Sequence, residues 1–120
     1  MATSLNNLAA LYGTQGQYAT AEPLYQRALV IREKAMSPEH PDVAESLDNL
    51  AGLYRAKGQY AKAESFYQRA LAIWEKALGP EHPHVATCLE NYGLLLRNTD
   101  RPEEAVPVEA RARAIRVKSV

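Results

Sequence analysis

The chain has 120 residues, 47% hydrophobic and 23% charged, ordinary values for one small folded soluble domain. Fourteen basic residues balance fourteen acidic ones, so no surplus of Lys and Arg favours nucleic acid or an anionic membrane. The single cysteine excludes an internal disulfide framework. No apolar run approaches the roughly 20 residues of a bilayer span, and the N-terminus has no basic region of the kind that opens a signal peptide. The chain therefore reads as intracellular, with a cytoplasmic location expected.

The elements follow a repeat. Shifted by 42 residues, 1–42 match 43–84 at 27 positions. In the first copy Leu5, Leu8, Ala9 and Tyr12 form one stripe at helical spacing. Gly16 then interrupts the pattern, and Tyr18, Ala21, Tyr25 and Ala28 form a second stripe before the linker Pro38–Pro41. The second copy repeats this with Leu47, Leu50, Ala51 and Tyr54, then Gly58, then Tyr60, Ala63, Tyr67, Ala70 and Leu71. Its first helix is expected over about 42–57, with Pro41 near its start, where a missing amide costs nothing. Its second helix is expected over about 60–78, ended by Gly79-Pro80. Gly58 supplies the backbone freedom of the turn between them. The linker PEHP recurs at Pro80–Pro83.

The third copy, 85–120, is degenerate. It keeps Leu89, Asn91, Leu95, Arg97, Ala105 and Ala112. Leu96 stands for the tyrosine, Asp100 for the glycine, Pro102 for the second tyrosine and Glu109 for the third, which puts its packing, though not its helicity, in question. Its last segment opens with Pro and Glu and ends basic, as a helix dipole favours. Pro23 and Pro107 share an offset in the opening turns of the second helix, where each removes a donor. Neither helix of a copy can bury its stripe alone, so copies must stack.

These residues resemble the tetratricopeptide repeat, of about 34 residues per unit. The longer 42-residue unit with its PEHP linker resembles the subtype of kinesin light chains. The resemblance implies an all-α fold: a right-handed α-solenoid of three helix hairpins, six helices, as a single array with repeats 1–42, 43–84 and 85–120. Residue 1 aligns with Val43, already inside a first helix, and the chain ends within a second helix. Two expectations follow, a piece of a longer array or ends that self-associate, with the first preferred.

The resemblance also implies a concave groove lined by the first helices, and a protein or peptide ligand in it. Its groove-facing offsets are Thr3, Asn6, Asn7, Ala10 and Gly13, then Glu45, Asp48, Asn49, Gly52 and Arg55, then Thr87, Glu90, Asn91, Leu94 and Arg97. Asn7, Asn49 and Asn91 recur in register although Asn is a mediocre helix former. An amide that donates and accepts fits a ligand main chain. Equally, each Asn fits a bond within or between helices that holds the stack together. Arg55 and Arg97 suit an acidic partner, or pair with Glu45, Asp48 and Glu90 on the same face, leaving a self-compensated groove.

Candidates for chemistry are weak. His40, His82 and His84 do not make the converging set that a metal needs, and the first two recur as linker punctuation. Cys88 occupies the slot of Ser4 and Ser46, which fits a passive thiol. Trp74 aligns with Arg32 and Arg116, so a partly exposed tryptophan is expected there. No phosphate loop, zinc-protease motif or nucleophile elbow is present. The expectation is a binding scaffold or adaptor with no catalytic residue, metal or cofactor. The alternative is a spacer, self-association element or sensor arm of a larger protein.

Overall fold

A computed structural model describes residues 1–118 and folds them into six helices, with no strand among the described residues. They are α1 (Ala2–Thr14), α2 (Tyr18–Ala35), α3 (Pro41–Ala56), α4 (Tyr60–Leu78), α5 (Pro83–Asn98) and α6 (Pro102–Lys118). The PEHP linker starts the first helices of the second and third hairpins, α3 and α5. His40 and His82 have extended backbones, and each precedes a proline in the first turn. Their Nδ1 atoms accept from the amides of Asp42 and His84, both at 3.0 Å, which satisfies one orphan donor of each helix start. The recurring histidine is thus a helix cap.

Each hairpin turns on one left-handed residue. Gly16 and Gly58 sit at φ +76° and +79°. Asp100, at the same offset, takes φ +60°. Aspartate is among the few side chains that enter this region without large strain, so the third turn forms without its glycine.

Alanine sets the spacing between helices. Ala9, Ala21, Ala28, Ala51, Ala63, Ala70 and Ala105 are all fully buried, and Tyr25, Tyr54 and Tyr67 fill the volume around them. The helices within each hairpin pack tightly, and α2 packs on α3 as α4 packs on α5. The backbones of α1 and α3, and of α3 and α5, also meet, whereas those of α2 and α4 do not. Second helices are bridged by long side chains such as Arg69 and Glu33, 3.0 Å apart. First helices in contact and second helices splayed make a curved stack with α1, α3 and α5 on its inner side.

A polar latch closes each seam between hairpins. At the first, the Tyr54 hydroxyl meets Glu22 and Gln26, and Lys57 pairs with Glu22. At the second, Glu64 and Gln68 meet the Tyr92 hydroxyl at 3.1 and 3.0 Å, and Arg101 forks onto Glu64. Leu96, which stands where the third copy lacks its tyrosine, is buried as plain core. Tyr92, one turn earlier, supplies the missing hydroxyl, and Arg101 supplies the cation. The degenerate copy therefore keeps the latch with different residues.

Candidate functional site

The inner face is built on α3, which is flanked on both sides. Its buried stripe (Val43, Leu47, Leu50, Ala51, Tyr54) faces the core. The offsets between these residues must then project toward the concavity. There a cleft of about 400 Å³ opens, lined by Asp48, Asn49, Gly52, Arg55, Tyr67 and Asn91 among others. Gly52 forms its floor; the nearest atom that a side chain there would meet is the Tyr67 hydroxyl, at 3.9 Å. A second cleft, of about 510 Å³, lies along the third hairpin between Glu90, Leu94, Arg97, Glu109 and Arg113. Leu94 is 45% exposed in it, an apolar contact surface on an otherwise charged face.

Asn49 and Asn91 both line the first cleft; Asn7 is exposed on α1. None of the three amides makes a side-chain hydrogen bond within the described residues. Asn6 behaves differently. It is buried, and with its oxygen assigned toward Arg32 it accepts from both guanidinium nitrogens, at 3.1 and 3.2 Å. It offers the groove no free amide.

Of the two readings of the groove arginines, pairing of Arg55 or Arg97 with Glu45, Asp48 or Glu90 is not found among the described residues. Second helices supply the partners. Arg32 reaches Glu45 at 2.9 Å, and Arg116 reaches Glu90 at 3.0 Å. Arg97 forks onto Glu109 of α6 at 2.6 and 2.7 Å, which holds the Glu109 carboxyl below its ordinary range. Glu109 replaces the tyrosine of the other copies, and Gly93, where they carry Ala9 and Ala51, leaves room for it: a β-carbon there would sit 2.9 Å from the Glu109 side chain.

Among the described residues Asp48 and Arg55 have no ion pair. Asp48 Oδ1 and Arg55 Nε are both buried without a hydrogen-bond partner. Burial, reinforced by Glu45, pushes the Asp48 carboxyl up to about 6. The Tyr67 hydroxyl feels both Arg55 and Asp48, and burial pushes it up to about 12.

One further position differs from expectation. Trp74 is buried, 7% exposed, with its ring 4.8 Å from that of His84. Arg32 at the same offset is 5% exposed. Alignment with arginine did not mean exposure, because this arginine buries its stem and bonds its head internally. Cys88 is fully buried, its Sγ 3.6 Å from the Tyr67 carbonyl, and burial raises its thiol well above the ordinary value, as a passive thiol requires. Among the described residues no group of three His, Cys, Asp or Glu could hold a metal ion. Nor is any described helix long and apolar enough to cross a membrane. Sequence reading missed the residues that decide which groove groups are free: Arg32, Trp74, Arg116 and Glu109. The aligned copies show Arg, Trp and Arg at one offset and Asn, Asp and Glu at another, but only the fold sets the two offsets against each other.

The tetratricopeptide repeat family model matches residues 1–76 and again 47–116. The chain belongs to the tetratricopeptide repeat family. Repeats of this family mediate protein–protein interaction, and the fold is that of a non-catalytic scaffold family. Among solved structures the chain is similar to a Podosopora anserina protein described as a kinesin light chain with nearly identical TPR-like repeats. The TM-score is 0.89 at 29% identity, over 98% of this chain and 56% of that one. It is also similar to BtubC (BKLC) of P. vanneervenii, with a TM-score of 0.79 at 29% identity, over 92% of this chain and 44% of that one. The chain thus spans about half the length of these relatives and shares their kinesin-light-chain-like repeat. No curated protein matches it.

Proposed function

We propose that this repeat array is a peptide-capturing adaptor, without catalytic activity, whose inner face takes an extended segment of a partner protein. One observation carries the reading. Polar side chains along the hairpin seams are partnered, whereas Asn49, Asn91, Asp48 and Arg55 converge on one cleft with bonding capacity left over. Buried polar groups without partners are uncommon in folded proteins, and a ligand main chain would supply the donors and acceptors they lack. Asn49 and Asn91 would clamp the ligand backbone, with side chains read between them.

Selection of displayed peptides on the immobilised chain tests this. Asn49→Ala with Asn91→Ala should abolish capture while the melting temperature barely moves. Unchanged capture together with a large drop in stability would assign both residues to the scaffold instead.

A second reading, self-association, draws on α1. Leu8 and Leu11 are 42% and 54% exposed, while their equivalents Leu50 and Leu53, in the hairpin with a neighbour on each side, are 1% and 5% exposed. Another hairpin docked on α1 would cover them. Light scattering at rising concentration decides this: a mass that stays monomeric removes it.

A further inference from the structure

The three hairpins carry an internal control for what Asp48 lacks. Asn6, Asp48 and Glu90 share one offset on the first helices, and Arg32, Trp74 and Arg116 share one on the second. In the first hairpin the Arg32 guanidinium serves Asn6 at 3.1 and 3.2 Å and reaches Thr3 at 3.4 Å. In the third, the Arg116 guanidinium serves Glu90 at 3.0 and 3.3 Å and reaches Thr87 at 2.8 Å. The fold therefore places a cation beside this rung twice. In the middle hairpin the second helix offers the uncharged Trp74, which packs on His84 instead. Asp48 keeps a buried oxygen with no donor, and the charge that acts on it, after burial itself, is another carboxylate, Glu45.

Asp48 also lines the open cleft, so a visitor can reach the rung. We propose that the cleft beside Asp48 accepts a basic side chain, guanidinium or ammonium, of the bound peptide, in the role that Arg32 and Arg116 fill internally in the flanking hairpins. This rests on the peptide-capture reading and specifies what the central cleft selects. Arg55 stands seven residues, about two helical turns, further along α3, where its guanidinium bonds the Tyr67 hydroxyl. Its unpartnered Nε faces the opposite need, an acceptor such as a ligand carbonyl. The cleft is therefore dipolar, with its negative end at Asp48. An ionised carboxylate left partly desolvated gains more from a cation than a solvated one does, because the opposing water is already gone.

Two arms test the proposal with the whole chain. In the first, a random peptide library is selected on the wild type, on Asp48→Asn and on Trp74→Arg, each checked for helicity beforehand. A charge-assisted hydrogen bond implies about tenfold enrichment of Arg or Lys at one position on the wild type. Among whatever peptides Asn49 and Asn91 still clamp, both variants should lose that enrichment, Trp74→Arg because the introduced guanidinium closes the site from within. Equal basic enrichment on wild type and Asp48→Asn, or none on the wild type, overturns the proposal while leaving peptide capture standing.

The second arm does not depend on any peptide. N-acetylarginine amide is titrated into isotope-labelled chain, with N-acetylcitrulline amide as its uncharged counterpart. Saturable shifts at Asp48, Asn49 and Gly52 with the first probe and not the second support the cation site, and their loss in Asp48→Asn confirms it. Identical responses to both probes, or none at these residues, refute it. Should the library yield no binder on any protein, the capture reading fails, and this arm alone decides whether a cation site exists.

Discussion

The flanking hairpins and the middle one solve the same structural problem differently. In the flanks an arginine from the second helix spans to the first and saturates it. In the middle a tryptophan packs into the corresponding place and leaves the facing carboxylate alone. Both solutions fold. What differs is whether this rung keeps a buried polar atom without a partner: among the described residues neither flank does, and the middle does, at the wall of the concave cleft. A repeat protein can thus dedicate one rung to a visitor without altering its frame, because the frame depends on alanine, leucine and tyrosine positions that all intact copies share.

Substitutions sharpen the contrast by degrees. Arg32→Ala should have the largest effect. Arg32 is 5% exposed and donates to the Asp42 carbonyl, Glu45 and Ser46 as well as serving Asn6. Its loss strands several buried acceptors, and urea unfolding should show a decrease of about 3 kcal/mol. The corresponding Arg116→Ala removes a side chain that is 43% exposed, so its unfolding midpoint should hardly move. Equal losses for the two would break the view that the first hairpin uses its arginine as core.

Next comes the second latch. Glu64→Ala frees the Tyr92 hydroxyl and one side of Arg101 at a half-exposed seam, and thermal melting should report a loss of about 1 kcal/mol. The Arg101 fork holds the Glu64 carboxyl below the ordinary range, so this latch stabilises the fold above the usual carboxylate pKa. Its contribution fades as pH falls through the lowered value. The smallest change is a gain. Asp100→Gly relieves the left-handed backbone at φ +60°, and should raise stability by about 0.5–1 kcal/mol in the same melting assay.

Much of this fold was legible in the residues. Stripes at three, four and seven residues, a glycine at each of two turns, and a recurring His-Pro dipeptide act locally, and local signals survive in a linear reading. The second helix expected over about 60–78 is α4, Tyr60–Leu78. The illegible part concerns partners distant in the chain. Arg116 meets Glu90, 26 residues away, and Arg97 meets Glu109 on another helix; no spacing rule within one helix points to either. The burial of Trp74 was hidden because its aligned arginines suggested solvent. The rescue of the latch by Tyr92 was hidden because the hydroxyl moved one turn along α5 while the offset that lost it became leucine.

Asp48 offers the most direct measurement. Its carboxyl ionises near 6 in the fold against 3.8 for the free group. The folded chain thus holds this proton more tightly than the unfolded chain. That stability is fully present below the free value and is lost as pH rises through the folded one. The groups facing it are Glu45 on its own helix, Tyr67 on α4 and Cys88 on α5. Denaturant unfolding of wild type and Asp48→Asn should therefore be followed from about pH 4 to about pH 8. The account predicts near-equal stabilities at the acidic end and an advantage for Asp48→Asn of about 2–3 kcal/mol at the basic end. Parallel profiles, or a variant weaker than wild type at the basic end, would show that this carboxylate already has its partner.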